Sequence, residues 1–432
     1  MRTEEDALGQ VEVPKDAYFG AFTARAAQNF QISGMTAPEE FRKALGYIKL
    51  AAARANARLE GLPEKEAIIQ AAEEFSEGKF DHEFSLDVFQ AGAGTSYNMN
   101  ANEIIANRAN EILGFKKGTY DPIHPNDHVN KGQSSNDVIP TATRLALLFV
   151  NKFFVQELAA LVEAFNKKSK EWNHIKKVGR THLQDAVPIT LGQEFSSYGQ
   201  ALENCLQECK QAFSELKKLG IGATAVGTGI NAHEDFQEEV LKELSDLTGL
   251  ELKAAPNLTT TNNSMQAFTR LSGALRNLAI EMRRIMDDLR LMSSGPRAGL
   301  MEITLPNAQP GSSIMPGKIN PSIPECMSMI CAQVIGADQT VACAAQNGEF
   351  ELNWNAPLIM FNLTMAVRIL GNGFEMVREK CIAGIRANEE RIAELYDGSL
   401  AEATLLIPEH GYKKVAEMVK EANESGGGLG NV

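Results

Sequence analysis

Cysteine is scarce in this chain: there are six in 432 residues, at Cys205, Cys209, Cys326, Cys331, Cys343 and Cys381. That spacing has none of the density of a disulfide framework, so ordinary core thiols in a reducing compartment are expected. Basic side chains are in deficit as well, 42 against 55 acidic ones, which leaves a formal charge of -13. Nucleic-acid phosphates and anionic membranes demand a basic footprint that this balance does not offer. A small anionic substrate stays open, because the local field of a cleft matters more than total charge. No uncharged apolar run reaches the ~18 residues of a membrane span. The opening run Met1–Gln10 carries acids and no apolar stretch of the secretory kind. No His/Cys spacing suggests zinc, and Gly227–Gly229 is too short for a nucleotide loop. A globular cytoplasmic protein with no nucleic-acid and no membrane partner is expected.

What is present is apolar material in helical rhythm. Hydrophobic residues make up 44% of the chain, ample for a large core, and the length suits roughly two to four domains. Up to about Asn136 the pattern is broken by turn formers, with one helix expected from Ala37 to Leu59. From Pro140, which suits a helix start, Leu147, Val150, Phe154, Leu158, Leu161 and Phe165 recur every three or four residues. Further long patterns run from Gly192 to Leu219, Asn263 to Met292, Ile323 to Ala345 and Pro357 to Ile382. Helices of this length suggest a bundle, and apolar residues on more than one flank suggest cores shared between subunits. No parallel-sheet rhythm is evident. The fold expected is all-α, with an N-terminal domain over 1–136, a central helical-bundle domain over 137–368 and a C-terminal domain over 369–432. The glycine-rich tail Asn423–Val432 is expected to fray.

Four polar, glycine-containing segments interrupt the helical patterns: Gly92–Asn100 (GAGTSYNMN), His128–Asp137 (HVNKGQSSND), Gly179–Asp185 (GRTHLQD) and Gly311–Pro321 (GSSIMPGKINP). Any one of the first three reads as a surface loop by itself; four together do not read as linkers. In the last, Gly311 and Gly317 permit backbone that other residues resist. Lys318 and Asn320, with hydroxyls nearby, can present fixed donors to a carboxylate. A competing structural reading pairs Lys318 with Glu325, and His182 has one as a satisfied structural histidine. His128 and Asp127 read as loop architecture.

With these segments in order, the chain resembles the fumarase/aspartase superfamily over nearly its whole length, and GSSIMPGKINP resembles its signature loop. The resemblance implies a fumarase/aspartase-like all-α fold and a homotetramer with active sites shared among three subunits. It implies reversible anti-elimination from a small dicarboxylate, with no cofactor required for the chemistry. Carried residue by residue, it implies Ser312 as the base that takes the C3 proton. Lys318, Asn320 and Thr181 would bind the α-carboxylate. Ser134, Ser135 and Ser313 would hold the β-carboxylate, and Thr95, Asn136 and His182 would surround the leaving group. Met315 would shape the loop. Thr95–Ser96, Gln184, Val187 and Ala223 resemble the aspartase branch, whereas Ser135, Gly132 and the ECMSM run resemble the fumarase branch. The balance favours ammonia as leaving group, with water as the alternative and an inactive structural relative as a remote one. Magnesium activation is expected to be possible, though no carboxylate cluster identifies a site.

Overall fold

A computed structural model describes residues 1–61 and 63–425. A short hairpin, β1 (Arg2–Asp6) and β2 (Gly9–Val13), opens the chain. Helices α1 (Ala21–Asn29), α2 (Glu39–Leu59), α3 (Lys65–Ser76), α4 (Thr95–Ile112) and α5 (Ser135–Glu171) follow. A second hairpin, β3 (Lys176–Thr181) and β4 (Gln184–Thr190), precedes α6 (Leu191–Glu215), α7 (Phe236–Thr248), α8 (Leu258–Asn263) and α9 (Gln266–Met292). The remaining helices are α10 (Ser322–Ala345), α11 (Ala356–Lys380), α12 (Glu389–Asp397), a single turn at Ile407–His410 and a last helix at Tyr412–Ser425. The other β-ladders among the described residues are two residues long in each strand.

Periodicity explains the long helices. The repeat of α9 (Phe268, Leu271, Leu275, Leu278, Met282, Ile285 and Leu289) is buried throughout, as an apolar stripe at three- and four-residue spacing requires. In α2, Phe41, Leu45, Ile48, Ala52 and Ala55 are buried, while Glu39 and Glu40 in its first turn and Arg58 in its last complement the helix dipole. Helix α5 covers 37 residues, roughly 55 Å at 1.5 Å per residue. It starts at Ser135, so Pro140 lies inside it rather than at its start; capping side chains at Ser134 and Asp137 begin the helix first.

The chain forms two compact units, each discontinuous in sequence. The first comprises Met1–Lys152, Cys209–Arg276 and Val334–Arg368; the second comprises Phe153–Glu208, Asn277–Gln333 and the chain from Ile369 onward. The first unit has an alanine-rich core in which Tyr97 lies 5.2 Å from Phe84 and 5.4 Å from Phe41, centroid to centroid. The second has an aromatic cluster of Phe165, Trp172, Phe195 and Tyr198.

Two sequence expectations need amendment, those for the thiols and for the tail. Cys343 is exposed and Cys326 half-buried, while the other four cysteines are buried. Two helices, α5 and α10, are long and apolar enough by length and composition to cross a membrane, because one or two charges do not undo a helix's average apolarity. Each nonetheless contributes core residues, Phe154 and Leu158 in the one, Met327 and Cys331 in the other. Of the tail expected to fray, Asn423–Ser425 end the last helix and the rest lies outside the described residues.

In the first unit Asp87 anchors the approach to α4. Its carboxylate accepts from the backbone N–H groups of Ser33 (2.6 Å), Gly34 (2.8 Å) and Phe89 (2.9 Å). Its carbonyl accepts from the Gln90 amide, whose oxygen receives the Tyr97 N–H. Burial acts to raise the Asp87 pKa, but these donors outweigh it and hold the group at about 2, below the usual 3.8. Its stabilisation is therefore complete above the unfolded pKa and lost as pH falls through the folded one. Asp87→Asn is expected to cost about 1–3 kcal/mol at neutral pH and to flatten the acid limb of a thermal-unfolding profile between about pH 4 and pH 2.

Candidate active site

The hydroxyl-rich segments of the first unit gather at the starts of two helices. Gly94 precedes α4 with φ +73, and a Cβ there would lie 3.0 Å from the Ile139 side chain. A side chain at position 94 would thus be both strained and crowded, and Thr95 opens α4 against the first turns of α5. At α5 the sequence SSND forms a reciprocal cap. The Asn136 N–H donates to the Ser134 hydroxyl oxygen (3.2 Å), and the Ser134 N–H donates to Asp137 Oδ1 (3.0 Å). The second Asp137 oxygen accepts from the N–H groups of Gly222 (3.0 Å) and Thr224 (2.8 Å), and the Asn136 amide donates to the Ala225 carbonyl (2.8 Å). Ser135 Oγ accepts from Asn98 Nδ2 at 3.3 Å. Used as acceptors, the hydroxyls of Ser134 and Ser135 keep their protons to donate, and they do so beside a helix N-terminus that favours anions.

Beneath them lies a buried polar floor. Lys49 Nζ donates to Asn98 Oδ1 (2.7 Å), Gln133 Oε1 (2.9 Å) and Asn130 Oδ1 (3.1 Å). Burial pulls the Lys49 pKa down to about 7 against the opposing charge of Asp137. Burial likewise pushes Asp137 up to about 7, against its backbone donors and Lys49.

In the second unit, Thr181 pairs with Gln184 across the β3–β4 hairpin, leaving His182 and Leu183 as its two-residue turn. Their φ values, 55 and 59, are those of a type I′ turn, which glycine and asparagine usually supply. Holding two other residues there costs of order 1–3 kcal/mol each. His182 is exposed. Buried charges secure the hairpin: Lys177 meets Glu194 at 2.7 Å, and Glu302, fully buried, meets Arg180 at 2.9 Å.

The loop carrying GSSIMPGKINP closes on itself. The Gly311 N–H donates to the Lys318 carbonyl (2.8 Å), and Asn320 Nδ2 donates to the Gly311 carbonyl (2.7 Å). A Cβ on Gly311 would sit 2.6 Å from both Asn320 N and Lys318 O, so only glycine fits this neck. Ser312 Oγ accepts from the backbone N–H groups of Met315 (3.0 Å) and Ile314 (3.2 Å). Both N–H groups thus converge on one hydroxyl oxygen, the geometry of a serine turn. Ser313, Met315 and Lys318 are exposed on the loop. Glu325 lies 4.0 Å from Arg290, and no Lys318–Glu325 pair forms among the described residues.

The residues singled out in sequence thus fall into two groups. Thr95, Ser134, Ser135 and Asn136 meet in the first unit; Thr181 and His182 on a hairpin, and Ser312, Ser313, Met315, Lys318 and Asn320 on a loop, belong to the second. His124 and His128 cap and brace the turn at 125–129, consistent with loop architecture. Among the described residues no three His, Cys, Asp or Glu side chains gather as a metal site would require. Lys49, Asn98 and Asp137 escaped sequence reasoning as functional residues. The signal for Lys49 was available: one lysine within the apolar run of α2.

The scaffold is thus predominantly α-helical, with serine hydroxyls at a helix N-terminus in one unit and a serine on a glycine-necked loop in the other. Residues 9–336 match the family model described as Lyase. The chain is 45% identical to an aspartate ammonia-lyase from Bacillus sp over 99% of its length and 92% of that relative's. It is also 45% identical to a class II fumarate hydratase from Ralstonia nicotianae, over 99% and 94% of the two chains. A solved structure of fumarate lyase:delta crystallin from Brucella melitensis bound to cobalt superposes with a TM-score of 0.95 at 46% identity, over 99% of this chain and 94% of that one. The chain belongs to the fumarase/aspartase superfamily.

Gly311→Ala is expected to force the loop neck apart and lower turnover about 10²-fold, since misplacement near 1 Å suffices for that. Steady-state kinetics beside a thermal melt will check it: turnover should fall while the melting midpoint stays near wild type.

Proposed function

We propose that this chain is an aspartate ammonia-lyase, catalysing reversible anti-elimination of ammonia from L-aspartate to give fumarate. At the coarser level it is a lyase that eliminates ammonia or water from a C4 dicarboxylic acid. The observation that carries the base assignment is the place of Ser312 in GSSIMPGKINP, the segment that resembles the family's signature loop. The preference for aspartate rests on the local sequence around Thr95, Gln184, Val187 and Ala223. The class II fumarate hydratase reading stays as the alternative because Ser135 favours it and relatives of both kinds share 45% identity.

On this reading Ser312 Oγ takes the C3 proton, and the C–H electron pair moves toward the β-carboxylate, giving an aci-carboxylate. Donors must already await that charge for the barrier to fall; the hydroxyls of Ser134 and Ser135, with Ser313 from the loop, supply them. Lys318, Asn320 and Thr181 hold the α-carboxylate. The pair then returns to form the C2–C3 double bond as the C2–N bond breaks, and the ammonium departs as ammonia from among Thr95, Asn136 and His182. In the present loop one proton of Asn320 Nδ2 is engaged at the neck, leaving the second amide proton to donate to the carboxylate. No cofactor enters these steps, and magnesium activation is an arm of the assay.

We further propose a cytoplasmic homotetramer with sites shared among three subunits. Its support is apolar surface on the long helices: Ile280 is 49%, Leu291 40% and Met329 67% exposed, and contact with another copy would cover them. Ultraviolet absorbance of the fumarate double bond, with L-aspartate and L-malate supplied separately and with or without magnesium, tests the reaction. Fumarate is expected from aspartate alone; fumarate from malate alone would overturn the aspartate assignment. Ser312→Ala should lower turnover about 10²- to 10⁴-fold, the usual worth of a positioned base, with oligomer size by light scattering unchanged. Unaltered turnover would remove Ser312 from the base role.

A further inference from the structure

A lysine buried without a carboxylate in hydrogen-bond contact is a costly feature for a core. Lys49 is 1% exposed, and the hydrogen-bond acceptors around its ammonium are the amide oxygens of Asn98, Asn130 and Gln133. Its neighbours along α2, Leu45, Ile48, Ala52 and Ala53, are buried and apolar, and an apolar side chain here would hold the core at lower electrostatic cost. Where its three acceptors lead distinguishes this cation from a structural one. Asn130 and Gln133 belong to the turn that delivers the chain to Ser134, and Asn130 Nδ2 donates back to the Gln133 carbonyl at 3.1 Å. Asn98 sits one turn into α4. Its amide oxygen takes the shortest of the three bonds from Lys49, while its amide nitrogen donates one proton to Asn130 Oδ1 (3.1 Å) and the other to Ser135 Oγ (3.3 Å).

We infer that Lys49 is a positioning residue that acts through the Asn98 amide on the Ser135 hydroxyl, strengthening that hydroxyl as a donor to one carboxylate of the substrate. A cation on the oxygen of an amide polarises it and makes its N–H a stronger donor, and a hydroxyl that accepts a stronger bond donates a stronger one. Lys49 thus supplies positive polarisation to the substrate without touching it. This rests on the placement of Ser135 at a carboxylate in the preceding subsection.

The test is a double-mutant cycle on the full-length protein, read as the calorimetric Kd of succinate, an unreactive C4 dicarboxylate. Lys49→Met is expected to weaken succinate about tenfold, the factor that 1.4 kcal/mol represents, in the wild-type background. In a Ser135→Ala background the same change is expected to have no further effect, because the relay then ends on nothing. A purely structural lysine would weaken binding by the same factor in both backgrounds, or leave it unchanged in both, and either result overturns the inference. If Lys49→Met does not fold, Asn98→Ala replaces it: that variant leaves the ammonium on Asn130 and Gln133, removes the relay, and should show the same dependence on Ser135. Turnover of aspartate and malate measured alongside separates the two readings. A wild type that eliminates from neither overturns the proposed function. A turning-over wild type with equal effects in both backgrounds overturns only the role of Lys49.

Discussion

Asp137 ties together three stretches of chain that the candidate site depends on. One oxygen closes the cap of the 37-residue helix α5 through the Ser134 N–H, and the other accepts from Gly222 and Thr224. Lys49 contributes the compensating charge from α2. A single cap of this kind is worth about 1 kcal/mol, but here it fixes more than a helix end. It sets where Ser134, Ser135 and Asn136 stand, and with Gly94 seated on Ile139 it sets Thr95 as well. Its burial leaves the hydroxyls above it partnered as acceptors and available as donors.

That arrangement resolves an electrostatic difficulty. A chain of formal charge -13 repels a dicarboxylate at long range, so affinity has to come from short-range donors. On the proposed function, helix N-termini, hydroxyls and one exposed lysine on a loop would supply them without a large basic surface. The loop adds the complementary requirement, a serine oxygen held by two N–H groups above a neck that tolerates only glycine. Strain at His182 and Leu183 follows the same pattern: backbone energy is stored at the hairpin tip, where buried ion pairs between Lys177, Glu194, Arg180 and Glu302 keep it in place.

Much of this was legible in the sequence, for identifiable reasons. The long helices follow from apolar residues every third or fourth position, and Leu158, Phe195 and Leu275 are buried as that rhythm requires. The four polar segments stood out by composition, and their order carried the family. The hairpin bearing Thr181 and His182 was not legible as strands, because Gly179 and Pro188 interrupt the alternation and its turn uses residues that ordinarily avoid positive φ. Pro140 misled because a helix-start preference cannot reveal a cap six residues earlier. The two compact units could not be read at all, since each is assembled from distant stretches. Lys49 shows the converse limit: its place on α2 was plain, but its partners on α4 and the preceding turn come from tertiary structure.

On the proposed function, the proton-abstracting serine and the carboxylate-binding hydroxyls work in one site completed between chains. The direct measurement mixes two variants expected to lose turnover, Ser312→Ala without the base and Ser135→Ala without a donor to the β-carboxylate, dissociates and reassociates them, and follows fumarate formation from aspartate. Random reassociation places an intact Ser312 opposite an intact Ser135 in about a quarter of sites, so recovery near a quarter of wild-type turnover is predicted. Mixed assemblies that form yet stay as inactive as their parents would show that both residues serve from the same chain, and would contradict the account.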